Sequence, residues 1–199
     1  SPGAAPVRPP LEGIDTEGIF TLRNVNDTDR VKEYIEEHDV KRALIVGAGF
    51  IGLEMAENLH EYGIQVSVVE MADQVMTPVD YEIATAVHQH FKSKGVGLHL
   101  QEAVTAFRPV EDGIDVVLKS GLVLQVDMVV LSIGVRPDVK LAREAGLEIG
   151  EMGGIKVNEF LQTSQPEHPL IRMVQHFAYR EMVRLQLSER SMFRYPPYY

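Results

Sequence analysis

The stretch from Arg42 to Glu70 constrains this chain more than any other part of it. Ala43-Leu44-Ile45-Val46 is a continuous apolar run, the pattern of a strand buried on both faces of a parallel sheet. It leads straight into Gly47-Ala48-Gly49-Phe50-Ile51-Gly52. A helix is expected over about 50–62, with Ile51, Met55 and Leu59 on its packing face. Gly63 stands where a left-handed residue closes a helix. Ile64 to Glu70 reads as a second strand. Strand, glycine turn, helix and strand fit into about thirty residues, the length of one βαβ unit.

The glycine spacing has a physical use. Gly47 permits a tight turn out of the strand, Gly49 lets backbone come close to a phosphate, and Gly52 lets the helix pack closely on the sheet. The free N–H groups and positive dipole end of a helix hold an anion without any basic side chain. GxGxxG alone is a weak signal, but here the strand before, the helix after and the next strand are all expected. That second strand ends in Glu70, eighteen positions after Gly52. A carboxylate there would accept hydrogen bonds from the adenosine ribose hydroxyls and repel a 2′-phosphate. Like unit charges about 4 Å apart cost on the order of 4 kcal/mol at an effective dielectric near 20. Met71, Ala72 and Asp73 follow with no Arg, so NAD(H) is expected over NADP(H). An ordinary strand–helix turn, or a turn for another nucleotide, is the plainer alternative.

The remaining pattern extends one α/β architecture. Asp80 is placed to cap a helix over about 81–93, with Ile83, Val87 and Phe91 inside, and Val96 to Leu100 reads as a third parallel strand. Alternating runs at 103–109, 114–118 and 122–126, punctuated by Asp112-Gly113 and Ser120-Gly121, predict a three-stranded antiparallel meander. Met128 to Ser132 is another apolar strand, ending at Ile133-Gly134. Gly134 could bring backbone to a cofactor there, or could simply be a strand-exit turn. A helix near 138–145 and an edge strand at 155–157 are expected to follow. Before the core, Pro-rich Ser1 to Pro10 does not favour regular structure, residues 18–22 suit a short strand, and Asn26-Asp27-Thr28-Asp29 offers cap chemistry for a helix over 29–38, with Val31, Tyr34 and Ile35 on one face. The fold class is α/β: a Rossmann-like three-layer domain whose parallel sheet carries the inserted meander.

Charge and composition exclude other classes. The net charge is −10, and no Lys/Arg cluster exists to hold a nucleic acid or an anionic membrane. No apolar run approaches the roughly 18 residues of a membrane span. There is no Cys, which rules out disulfides and thiolate chemistry within the chain, and a cytoplasmic setting is expected. His88 and His90 are two apart on one helix, point to different faces, and are not a metal pair. Glu36-Glu37-His38 reads as an exposed helix end. No metal site is expected. After Ser164 the composition changes: residues 165–199 hold five Arg against three Glu and four of the seven Tyr. Arg172, Arg180, Arg184, Tyr195, Tyr198 and Tyr199 imitate a basic stacking surface. An interaction helix, a swapped homodimer contact or disorder fits this tail better than nucleic-acid binding.

Three segments together resemble one family: Gly47 to Leu59 (GAGFIGLEMAENL), Val69 to Met76 (VEMADQVM) and Ser132 to Asp138 (SIGVRPD). They are similar to the flavin-dependent pyridine nucleotide-disulfide oxidoreductases, in the branch of coenzyme A-disulfide reductases, NADH oxidases and NAD(P)H-dependent sulfur reductases. The resemblance covers about residues 1–164. It implies three regions: a lead-in at 1–40 from the FAD domain and its connecting helix, an NAD(H)-binding domain at 41–164, and an atypical tail at 165–199. It implies that NADH passes hydride to FAD, which reduces a cysteine-based centre or oxygen. It also implies pyrophosphate at Gly49, Phe50 and Ile51, nicotinamide near Ile51 and Glu54, ribose at Glu70, and a far-strand contact at Gly134. Glu54 has a plainer reading as a first-turn acid answering the helix dipole.

The chain departs from that family as well. The redox cysteine of the family lies in the FAD half, and after Thr163-Ser164 the flavin-binding Gly-Asp segment gives way to Gln165-Pro166-Glu167-His168-Pro169. Ser1-Pro2-Gly3 reads as a cut inside a longer protein. No catalytic residue is expected in this chain, which alone should neither hold FAD tightly nor turn over substrate; its partner would be the remaining FAD domain. Two rivals stand beside this reading. A simple dehydrogenase domain is disfavoured by the meander, which replaces the next βα crossover. A non-catalytic NADH-sensing module would use the tail as its partner surface.

Overall fold

The computed structural model describes residues 3–151 and 153–165. The readings made for the tail fall outside the described residues from 166 onward. In chain order the elements are β1 (Ala4–Pro6), β2 (Ile19–Thr21), α1 (Val25–Glu37), β3 (Arg42–Val46), α2 (Phe50–Glu61), β4 (Gln65–Glu70), α3 (Tyr81–Ser93), β5 (Gly97–Leu100), β6 (Val104–Val110), β7 (Gly113–Leu118), β8 (Val123–Val126), β9 (Met128–Leu131), β10 (Val135–Pro137) and α4 (Lys140–Glu144). Two compact units result, one spanning Ala5–Arg136 and the other, among the described residues, combining residues 3–4 with 137–151 and 153–165.

The larger unit is built on a five-stranded parallel sheet in the order β2-β9-β3-β4-β5. Ile45 lies opposite Val68 on one side and Val130 on the other. Alternation along β3 explains its continuous apolar sequence. Ala43 and Ile45 face α1, α2 and α3 through Val31, Leu53, Ala56, Leu59 and Ala84. Leu44 and Val46 face the other way, into Phe107, Ile114, Val116, Leu118 and Val126 of the antiparallel sheet β6-β7-β8. The expected meander is thus the third layer: it occupies the face that a second set of helices would otherwise cover, and both sides of the parallel sheet are kept from water. Phe107 is its largest fully buried side chain.

Several boundaries and faces differ from expectation. Helix α1 begins at Val25 rather than near 29, because Asn24 and Asp27 form a reciprocal box: the Asn24 side chain accepts from the Asp27 N–H, and the Asp27 carboxylate accepts from the Asn24 N–H. The proline-rich start contributes a strand, β1, which pairs with β10. The lead-in also supplies β2 as an edge of the parallel sheet and places Val31 in its core.

In α2 the buried face is Gly52, Leu53, Ala56 and Leu59, while Ile51 is half exposed. Small residues let that helix lie close, a feature that apolar periodicity weights poorly. In α3 the buried residues are Ala84 and His88, and Ile83 is exposed. Asp80 occupies the N-cap position of α3 without a side-chain cap bond. In the smaller unit, α4 is confined to Lys140–Glu144, and Ile155 makes an isolated bridge to Ile149 rather than a strand.

Candidate functional site

The carboxyl ends of β3, β4 and β9 meet the start of α2, where the order of a wound sheet leaves a crevice for ligands. Gly47 leaves β3 with φ +100°, a conformation L side chains rarely adopt, and a Cβ there would stand 2.6 Å from the Ser132 carbonyl oxygen. A Cβ on Gly52 would lie 2.0 Å from the Gly47 carbonyl oxygen and 2.4 Å from Ser132 Oγ. Both glycines are therefore demanded by the chain's own packing. Gly49 is different. It is the N-cap of α2, with φ −76° and ψ −177°, open to any residue. A Cβ on it would meet no atom within 4 Å among the described residues.

The turn is held from three sides. The Gly47 N–H donates to the Val69 carbonyl at 2.8 Å, and Ser132 donates its N–H to the Val46 carbonyl at 2.8 Å and its Oγ–H to the Gly47 carbonyl at 2.9 Å. From the loop after β4, the Met76 N–H donates to the Ala48 carbonyl at 2.8 Å. That loop is pinned in turn by His88, whose Nε2 accepts from the Val75 N–H at 3.1 Å. An accepting nitrogen carries no proton, so the buried ring is neutral. Burial first, and Lys92 one helical turn on, push its pKa below 6.5.

Glu70 ends β4 beside the turn, partly buried. Its Oε2 accepts from the Ala48 N–H at 2.7 Å and its Oε1 from the Ala72 N–H at 2.9 Å. Each oxygen keeps a lone pair for an outside donor. Glu70, Gly47, Gly49, Phe50, Ile51 and Gly52 thus gather around one mouth. Phe50 and Ile51 are half exposed on the first turn of α2, and Glu54 lies exposed one turn on. Gly134 follows β9 with φ +100°, and its carbonyl accepts from the Val7 N–H at 3.0 Å.

Sequence reasoning missed the roles of Ser132, His88 and the Ala48 and Ala72 amides. Serine at a strand end, histidine on a helix and alanine before a glycine carry no pattern of their own. A separate hollow of about 400 Å³ lies against β2 and α1. Its arginines are already committed, Arg8 to Asp15 and Arg30 to Asp27. Among the described residues no group of His, Asp and Glu is arranged to hold a metal ion, and no helix is long and apolar enough to cross a membrane.

A parallel sheet with a glycine turn opening a helix, and an antiparallel meander on its other face, defines the Rossmann-like class of α/β folds. The chain belongs to the pyridine nucleotide-disulphide oxidoreductase family, whose model matches residues 1–167. It is 41% identical over 165 residues to an NADH oxidase of Methanocaldococcus jannaschii, covering 82% of this chain and 36% of that protein. Among solved structures it is similar to the reduced Bacillus anthracis CoADR-RHD, with 52% identity, a TM-score of 0.78 and coverage of 83% of this chain and 29% of that one. It is also similar to an NAD-dependent persulfide reductase from A. fulgidus, with 39% identity, a TM-score of 0.76 and coverage of 82% and 30%. The chain spans about a third of the length of these relatives.

Proposed function

We propose that this chain binds NAD(H), in preference to NADP(H), as the pyridine nucleotide domain of a flavin-dependent reductase. Its coenzyme would deliver hydride to FAD, and the electrons would go on to a disulfide, a sulfur species or oxygen. The observation that carries the reading is Gly49. Among the described residues nothing requires a glycine there, so the open side of Gly49 fits an outside group that approaches the backbone.

The first-turn amides of α2 suit a pyrophosphate in that space. Residues 47–54 and 70–76 contain no Lys or Arg, so the holding force is amide hydrogen bonding and the helix dipole. Glu70, fixed by two amides, presents its remaining lone pairs to a ribose diol. Phe50 and Ile51 give the mouth an apolar rim that would exclude water from a nicotinamide, and Glu54 and Gly134 border it. No residue of this chain performs proton transfer in the reading; its work is to bind and orient. The names of the relatives, an NADH oxidase and an NAD-dependent persulfide reductase, support the coenzyme and the range of acceptors.

Calorimetric titration with NADH and with NADPH tests the proposal. Saturable NADH binding, tighter than NADPH binding, is expected. A flat titration with both coenzymes would overturn it.

A further inference from the structure

The glycine turn leans on the irregular loop between β4 and α3. Inside that loop the Gln74 side chain donates to the Val79 carbonyl at 2.9 Å, and the Val79 N–H to the Met76 carbonyl at 2.8 Å. Two adjacent amides tie its middle to other elements. The Val75 N–H donates to His88 Nε2 at 3.1 Å, and the Met76 N–H donates to the Ala48 carbonyl at 2.8 Å. Met76 takes φ +49°, in the left-handed region, so its backbone has to be held by its surroundings. Val75 is fully buried, so its N–H loses heavily if the imidazole stops accepting.

We infer that His88 is a positioning residue for the coenzyme: its neutral Nε2 holds Val75, Val75 keeps Met76 on Ala48, and a proton on that nitrogen loosens the turn and weakens coenzyme binding. The inference rests on the reading that the coenzyme sits at the mouth of α2. Protonation turns the acceptor into a second donor facing the Val75 N–H, and the contact cannot survive it. The surroundings keep the ring neutral at rest. His88 is 8% exposed, and burial followed by the like charge of Lys92 disfavours the imidazolium. The Tyr81 ring meets it edge-on, with centroids 6.5 Å apart. The titratable groups of the neighbouring segments are Asp73 and Asp80 in the loop and His99 on β5, and none pairs with the ring among the described residues.

The test follows the His88 ring resonance against pH in the whole chain, without and with saturating NAD⁺. Calorimetry gives the NAD⁺ affinity of the wild type and of His88→Gln over the same range. In the free protein the Ala48 and Met76 amide resonances should move with the ring's own midpoint. Saturating NAD⁺ should lower that midpoint by about half a pH unit or more, because proton and coenzyme must shift each other by the same factor, here about threefold. Wild-type affinity should accordingly weaken about twofold or more by one pH unit below the midpoint. The Gln variant, whose amide oxygen accepts from Val75 without titrating, should keep its affinity there. A midpoint that NAD⁺ leaves in place, amides that ignore the ring, a ring that stays neutral until the chain unfolds, or a folded Gln variant with the wild-type loss in acid would each overturn the inference. Wild-type protein that binds no NAD⁺ at neutral pH, with amides that still follow the ring, would reject the coenzyme reading and keep the link from His88 to the turn.

Discussion

Replacing Gly49 with alanine separates what the fold needs from what a ligand needs. The backbone at Gly49 already suits any L residue, and the added methyl meets nothing within 4 Å among the described residues. Gly→Ala at a compatible position gains about 0.4–1 kcal/mol by restricting the unfolded chain. Alanine is a poorer N-cap than glycine by about the same amount. The two effects nearly cancel, so the unfolding midpoint in urea should stay within about 1 kcal/mol of wild type.

Binding behaves differently. The methyl would stand where the pyrophosphate approaches and would displace it from the first-turn amides. Two hydrogen bonds to a charged group, at about 1.5 kcal/mol each on the low side, amount to roughly 3 kcal/mol, or about a hundredfold in affinity. The control is Gly47→Ala, where φ +100° and the Ser132 carbonyl at 2.6 Å both oppose a side chain. Left-handed strain of about 1–2 kcal/mol and overpacking of about 1–3 kcal/mol should lower its stability outright. A folded Gly49→Ala protein that binds NADH within twofold of wild type would refute the reasoning.

Three further outcomes follow from the same contacts. His88 has a folded-state pKa below 6.5, so the unfolded chain takes up a proton first as pH falls, and stability from this group is lost from about pH 6.5 downward. In His88→Gln the amide oxygen can still accept from the Val75 N–H and carries no such proton; its melting temperature should fall less than that of wild type between pH 7 and 5, and parallel curves would contradict the pinning role. Asp127 accepts from the Lys41 and Arg42 N–H groups at 2.8 Å each and pairs with the Arg42 guanidinium at 2.6 Å. Burial tends to raise its pKa, but Arg42 and the two amides outweigh that and hold it below 3.8, so its stabilising contribution is present at neutral pH and is lost only as pH falls into the acid range. Asp127→Ala should cost about 2–4 kcal/mol by urea denaturation, and a loss under 0.5 kcal/mol would show the knot to be idle. Phe107→Ala should cost about 3–5 kcal/mol by the same assay, because this 1% exposed ring fills the layer between the meander and the sheet.

The sheet strands, the meander and the glycine turn were legible because each rests on a pattern of side-chain polarity or on backbone freedom that sequence displays directly. The unbroken apolar run from Ala43 to Val46 marks a strand buried on both faces, and Gly63 marks a helix stop. Helix faces were less legible. Ile51 and Ile83 are large and apolar yet exposed, while Gly52, Ala56 and Ala84 carry the close packing with almost no hydrophobic signal. The grip on Glu70 was invisible, since its donors are main-chain atoms of Ala48 and Ala72, and any residue but proline has the same N–H. Helix α1 was misplaced because the Asn24–Asp27 box depends on reciprocal geometry rather than on residue types alone.

Following backbone amide resonances while NADH is added tests the central claim most directly. The Gly49, Phe50 and Ile51 amides should show the largest movements, with Ala48 and Ala72 next and the strands of the meander still. Movements concentrated elsewhere, for example around Arg8, Arg30 and Tyr34 in the hollow beside β2, or no movement at saturating NADH, would contradict the assignment of this helix mouth as the coenzyme site.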